Sequence, residues 1–209
     1  MKIYKIYPRG FGANTYVLTQ DNKTAVVIDP AQERIVEKLQ ELGLEAKCVL
    51  LTHCHFDHVS GCARLQDLGA KVFCSEKEKP LVGTKADLFE LFGAPREPFS
   101  YEIDGTLADN EMRNFCGIEI KTFLTSGHTA GSCCFEIIEN DGGRYLFTGD
   151  TLFHESIGRT DFPTGNLGEL QKSLRRLKEL SGDYIVHSGH GDETTLARER
   201  VCNAFLIDC

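Results

Sequence analysis

The chain has 209 residues, 41% of them hydrophobic and 26% charged, with a formal net charge of -8. This length and mixture predict one domain over residues 1–209 with a sizeable apolar core. The negative balance argues against a nucleic-acid partner and against docking on an anionic membrane; an anionic small molecule stays open, because a bound metal inverts the local field.

In chain order, KIYKIY, NTYVLT and TAVVID predict three early strands. The N-terminal stretch MKIYKIYPRGFGANTYVL has no apolar segment of signal-peptide length. No run approaches the ~20 apolar residues of a membrane span, so a cytoplasmic location is expected. Asp29 and Pro30 read as the cap and start of a helix, AQERIVEKLQELG. Its Ile35, Val36, Leu39 and Leu42 recur at helical spacing before Gly43 stops it. The strand CVLLT, a helix over 58–68 and the extended AKVFC come next. Residues 76–92 read as a helix broken by Pro80 and Gly83, and 93–106 as a Gly- and Pro-rich loop. IEIKTFLT, SCCFEII and RYLFTG read as strands. Asn166 with Glu169 resembles a capping box ahead of the helix face Leu167, Leu170, Leu174 and Leu177. DYIVHSG is the last clear strand. Helices alternating with hairpin-like neighbours predict mixed sheets with outer helices. Tyr4, Tyr7 and Phe11 are assigned to the core, and the nine cysteines, none in a C-x-x-C pair, to reduced packing. Cys54, between His53 and His55, points the other way in an extended segment.

Four of these apolar runs end in metal-competent residues. CVLLT runs into His53, His55, Asp57 and His58; KTFLTSG leads to His128, RYLFTG to Asp150 and DYIVHSG to His190. Ligands just past the ends of adjacent strands converge on one rim. Residues two apart in an extended segment face the same side, so His53 and His55 can grip one ion. Asp57 and His58, at the turn into a helix, can face a second. Imidazole and carboxylate suit zinc, iron or manganese. So many ligands suit two ions sharing a carboxylate better than one tetrahedral ion.

THCHFDH, SGHTAGS, FTGDTLF and SGHGD, in this order and at this wide spacing, resemble the metallo-β-lactamase superfamily. The resemblance implies a four-layer αβ/βα sandwich of two mixed β-sheets flanked by helices, with a dinuclear site at one edge. SIGRTDFPTG draws the chain toward the glyoxalase II (hydroxyacylglutathione hydrolase) branch and its short bacterial relatives. Carried over by position, His53, His55 and His128 would hold the first metal, and Asp57, His58 and His190 the second. Asp150 would bridge both, and Asp57 would also orient the nucleophile. The implied cofactors are two divalent ions, zinc first, with iron or manganese accepted by the same ligands. The implied partner is a small-molecule acyl thioester such as an S-2-hydroxyacyl-glutathione. Hydroxide is the expected nucleophile, since no G-x-S-x-G elbow or motif-supported cysteine is present and a thiolate leaves readily.

Phe56, His154 and Arg159 are the expected substrate contacts: a wall, a loop histidine at the mouth, and a cation for a carboxylate. Phe56 could instead pack below the ligands, His154 could be a solvated loop histidine, and Arg159 could pair with Asp161. His187 is expected to pack with one backbone hydrogen bond, and Asp29 to combine its capping role with an indirect one at the site. Full-length glyoxalase II carries a helical C-terminal extension with basic residues that contact glutathione. Here the last segment, DETTLARERVCNAFLIDC, offers Arg198 and Arg200, so the resemblance carries the metal chemistry further than the glutathione specificity. GRTDF also resembles persulfide dioxygenases, in which His53, His128 and Asp150 would hold a single iron; the glycine-cysteine pair that precedes the stretch there reads Ser156–Ile157 here. Lactonase, phosphodiesterase or β-lactamase chemistry would use the same ligands. A non-catalytic metal module is the remaining alternative, and seven ligands on an exposed rim argue against it.

Overall fold

The computed structural model describes every residue except Arg9, Phe11, Glu97 and Pro98, so the expectation for Phe11 lies outside the described residues. Strands β1 (Lys2–Ile6), β2 (Thr15–Thr19) and β3 (Thr24–Ile28) form an antiparallel meander. To it β4 (Glu45–Leu50), β5 (Lys71–Ser75) and β6 (Gly105–Leu107) add in parallel, giving a six-stranded mixed sheet in chain order. The second sheet contains β7 (Met112–Phe115), β8 (Ile118–Leu124), β9 (Cys133–Ile138) and β10 (Arg144–Gly149). A small hairpin of β11 (Leu152–Phe153) and β12 (Ser156–Ile157) follows, and then β13 (Ile185–Ser188) and β14 (Thr194–Thr195) complete that second sheet. Its order is β14-β13-β10-β9-β8-β7, and only β10 and β13 run parallel.

Strand alternation builds the layers. Tyr16 and Leu18 of β2 join Phe135 and Phe147 in the core between the sheets. Val17, between them in sequence, faces outward with Val27, Val49 and Val72. That outer face packs on α1 (Ile35–Leu42) and α3 (Cys62–Asp67) through Ile35, Leu39 and Leu65. In the second sheet Phe147 points in while Leu146 points out. There it meets Leu170, Leu174 and Leu177 of α4 (Leu167–Lys178), with α5 (Leu196–Cys202) and α6 (Ala204–Ile207) contributing Leu196 and Leu206. Apolar side chains on both faces of each sheet require cover on both sides, and helix-sheet-sheet-helix layering supplies it. The sandwich of two mixed sheets is as the motifs implied.

Local differences have local causes. Helix α1 starts at Ile35, after a turn, with Arg34 giving no side-chain cap. Asp29 is therefore no helix cap; its carboxylate is taken by Thr52 and His58. The helix expected over 58–68 is split into α2 (Phe56–Val59) and α3. The break falls at Gly61, where a Cβ would come within 2.9 Å of the Pro30 carbonyl oxygen and 2.7 Å of that of Gln32. Residues 76–92 form two 3-10 turns, Lys79–Leu81 and Lys85–Asp87, and no α-helix. Pro80 withholds a backbone donor, and Leu88 sits at φ 67. The end of the predicted loop 93–106 is β6, recruited by pairing with β5. Edge strand β7, mostly exposed, has little apolar pattern to betray it. Asn166 Oδ1 accepts from Glu169 N–H at 3.0 Å as a cap should, but the Asn166 N–H goes to Gly127 O, so the box is half-formed. Tyr4 packs against the core, whereas Tyr7 is 66% exposed. All nine thiols are free; five are buried, Cys202 is exposed and the other three are half-buried. Among the described residues, no helix is long and apolar enough to cross a membrane.

Candidate metal centre and its cavity

The rims of the two sheets are sewn together by backbone hydrogen bonds. Cys133 N–H donates to Thr52 O at 2.9 Å and Asn14 N–H to Gly189 O at 2.7 Å. This brings the segments following β4, β8, β10 and β13 to one edge. Three sets of side chains there have ligand atoms within 4.8 Å of one another: His53, His55 and His128; His53, His58 and Asp150; Asp57, His58 and His190. All seven residues singled out from the sequence are among them. Asp150 Oδ1 lies 3.3 Å from His58 Nε2, and its Oδ2 lies 3.5 Å from His128 Nε2 and 3.7 Å from His190 Nε2. That carboxylate stands between the first and third sets. Asp57 Oδ2 is 3.2 Å from His190 Nε2.

Outer hydrogen bonds fix the ring tautomers. His58 Nδ1–H donates to Asp29 Oδ2 at 2.9 Å, and His128 Nδ1–H to Arg159 O at 2.8 Å. Thr52 Oγ1 donates to Asp29 Oδ2 at 2.7 Å and so accepts from His53 Nδ1–H at 3.0 Å. With the proton on Nδ1, each of these rings turns an Nε2 lone pair toward the cluster. His53 Nε2, His55 Nε2, His58 Nε2 and Asp150 Oδ1 are buried with no hydrogen-bond partner. Buried polar atoms are rarely left unpaired, and so many facing one centre fit divalent cations. Burial first, and neighbouring imidazoles second, hold His53 well below the usual histidine range and His55 down to about 3. Burial opposes charge on Asp150 as well, but His58, His128 and His190 outweigh it and lower its pKa. Burial likewise opposes the charged form of His58, yet the carboxylates of Asp150, Asp29 and Asp57 together raise its pKa. The neutral imidazoles of His53 and His55 beside the ionised Asp150 carboxylate are a donor set ready for cations, and an ion entering beside His58 displaces its proton. Gly189 is required by space: a Cβ there would lie 2.3 Å from Asp150 Oδ1 and 2.7 Å from His58 Cε1.

Two supporting residues escaped the sequence reading. Thr52 couples Asp29 to His53, as above. Glu78, fully buried, accepts from Cys54 N–H at 2.8 Å and from Thr129 Oγ1 at 2.7 Å. It ties the segment bearing His53 and His55 to the loop bearing His128, and burial raises its pKa. Nothing in the local pattern of 76–92 marks it, since its partners are brought to it by the packing of the two sheets.

A cavity of about 570 Å³ adjoins the cluster, and His55, Asp57, His128, Asp150 and His190 line it. Phe56 and Arg159 line it as expected, joined by Phe92, Phe153 and Phe162. His154 is not among the lining residues. It is exposed, and its Nε2 accepts from Arg198 Nε–H at 3.2 Å, because the loop after β11 turns toward α5. Arg159 forms the alternative pair with Asp161. Arg198 also pairs with Glu155, and Arg200 caps the carbonyls of Lys178 and Gly182, so both are occupied in holding the C-terminal helices. His187 packs between aromatic rings, with the Phe147 centroid at 4.8 Å and Tyr16 at 5.0 Å. Among the described residues its ring nitrogens make no hydrogen bond, so the expected backbone bond is not formed; Glu193 Oε1 lies 3.1 Å from its Nδ1.

Comparison with known proteins agrees with this architecture. The chain is 36% identical to hydroxyacylglutathione hydrolase GloC of Haemophilus influenzae, over 99% of this chain and 98% of that protein. The crystal structure of BLEG-1 B3 metallo-beta-lactamase superposes with a TM-score of 0.87 at 31% identity, covering 98% of this chain and 99% of that one. TTHA1623, crystallised in a di-iron-bound form, superposes with a TM-score of 0.83 at 29% identity, covering 97% and 99%. The sequence profile of one family matches residues 8–190, which include every candidate ligand: the chain belongs to the metallo-beta-lactamase superfamily.

Proposed function

We propose that this protein is a metal-dependent hydrolase of small acyl thioesters, working with two divalent ions. His53, His55 and His128 would hold one, Asp57, His58 and His190 the other, and Asp150 would be shared. The observation that carries the reading is the set of buried, unpartnered Nε2 and carboxylate atoms facing one another beside an open cavity. Ions held there supply activation of water at neutral pH and polarisation of the substrate carbonyl.

The chain's own groups provide the rest. Among the described residues lining the cavity there is no serine, threonine or cysteine, so a covalent acyl-enzyme has no obvious nucleophile and water takes that role. Asp57 lines the cavity, where its carboxylate would accept a hydrogen bond from the attacking water and orient it. A thiolate leaving group needs little help from a protein acid, which favours a thioester over an amide at a site whose imidazoles are committed to ions. The kinship to a protein named hydroxyacylglutathione hydrolase supports the thioester class. Zinc is the proposed metal; the di-iron form of TTHA1623 makes iron the competing one.

The test is metal analysis of the freshly purified protein together with turnover of a thioester panel before and after chelation. Two ions per chain, and activity lost on chelation and regained on metal return, are expected. Full activity in metal-free protein would end this reading. Oxygen uptake with glutathione persulfide, in place of thioester hydrolysis, would replace it with the dioxygenase.

A further inference from the structure

The cavity has a one-sided chemistry. The Phe56 and Phe92 ring centroids are 5.0 Å apart, those of Phe92 and Phe162 5.9 Å, and Phe162 lies 6.0 Å from the His55 ring. An unbroken aromatic wall therefore runs from a candidate ligand out to solvent, where Phe92 is 54% exposed. Large apolar groups left in water at the edge of a polar centre mark a surface that a ligand covers. The segment carrying Phe92 is fixed in place: Leu88 is buried in the left-handed region, which leucine adopts only at a steric cost, and Phe89 is buried beside it.

Charge points the same way. Among the described lining residues the cation is Arg159. Its Nε and one terminal nitrogen sit 2.6 and 2.7 Å from the two carboxylate oxygens of Asp161. Its guanidinium carbon lies 3.9 Å from the Phe162 centroid, so the paired group lies over the ring and extends the wall. Arg198 and Arg200 are spent on the C-terminal helices, and the whole chain is acidic. Among the described lining residues, the two carboxylates of a glutathione conjugate would meet one arginine, already paired with Asp161.

Resting on the hydrolase reading above, we propose that the preferred substrates are thioesters with an aryl or branched alkyl acyl group and an uncharged thiol half. The acyl group packs on Phe56, Phe92 and Phe162. The water oxygen bonds to the acyl carbon, the carbon-sulfur bond breaks, and the proton released ends on the departing sulfur, giving a carboxylic acid and a thiol.

The experiment compares S-phenylacetyl-N-acetylcysteamine, S-lactoyl-N-acetylcysteamine and S-lactoylglutathione on the metal-loaded protein, and on Phe92→Ala and Phe92→Leu with metal content measured in each. The phenylacetyl ester should exceed S-lactoylglutathione in kcat/KM by about tenfold or more, a usual discrimination for an apolar pocket. Phe92→Ala should shrink that ratio several-fold through KM for the aromatic ester, with Phe92→Leu between it and the parent. Phe92 is half in water, so its truncation spares the core. A preference for S-lactoylglutathione, or a ratio unmoved in Phe92→Ala, overturns the proposal. Loaded protein that hydrolyses none of the three overturns the hydrolase reading itself, and this proposal with it.

Discussion

Replacing Asp29 separates the folding role of the outer hydrogen bonds from their role in metal binding. Asp29 is 2% exposed and accepts three hydrogen bonds, from Thr52 N–H at 2.8 Å, Thr52 Oγ1 at 2.7 Å and His58 Nδ1 at 2.9 Å. In Asp29→Ala the Thr52 hydroxyl can turn elsewhere, but the Thr52 N–H and the His58 Nδ1–H are left buried without acceptors. Each costs about 1–3 kcal/mol, so metal-free protein should lose about 2–6 kcal/mol of stability. Loss of the group orienting a ligand ring typically weakens metal binding about 10–100-fold. Asp29→Asn behaves differently. Its Oδ1 can still accept from Thr52 N–H, and asparagine tolerates the φ of 48 at this position. Its amide then donates to His58 Nδ1, which forces the ring proton onto Nε2, the atom facing Asp150. Asn should therefore keep more stability than Ala while losing at least as much metal affinity at the set containing His58. Denaturant unfolding of chelator-treated protein reads the first quantity, and competition with a chromophoric chelator reads the second. An Asn variant that takes up both ions with parental affinity would refute the tautomer argument.

Three further outcomes are expected. Gly189→Ala must displace Asp150 or His58, given the 2.3 and 2.7 Å contacts of its added Cβ, and should lose metal stoichiometry and turnover together; parental metal content would contradict the site geometry. Glu78→Gln can keep an acceptor on Cys54 N–H and donate to the Thr129 hydroxyl, so it should unfold near the parent, whereas Glu78→Ala leaves a buried donor unpaired and should cost about 1–3 kcal/mol in denaturant unfolding; equal losses would refute this account. The Asp21 carboxyl accepts from the backbone N–H groups of Thr24 and Lys23, which lower its pKa from 3.8 to about 2. A carboxyl depressed by folding contributes stability above its unfolded pKa and loses it as pH falls through the folded value. The stability gap between the parent and Asp21→Asn should therefore be full above pH 3.8 and close as pH falls through about 2; a gap that widens on acidification would invert the assignment.

Much of the site was legible because its signals are local. Imidazoles two apart beyond an apolar strand, and single ligands flanked by glycine after three more strands, read as a metal rim before any coordinates. The two-faced apolar strands likewise implied sheets covered on both sides, and Asn166 marked the start of α4. Where pattern and packing diverged, packing decided. The spacing in 76–92 suits a helix broken at Pro80 and Gly83, yet the pieces are 3-10 turns, and the left-handed Leu88 after them directs Phe92 to the cavity.

Sequence alone determined which atoms could bind metal, since donor chemistry belongs to the side chain and strand ends are set by neighbours. Only the tertiary structure decided what supports them. Asp29 meets Thr52 and His58 across 23 and 29 positions, and Glu78 reaches Thr129 across 51. The same packing sent His154 outward to Arg198 and laid Arg159 over Phe162. Hydrogen bonds between residues so far apart in the chain depend on how two sheets close over a shared core, and no window of local periodicity contains that information.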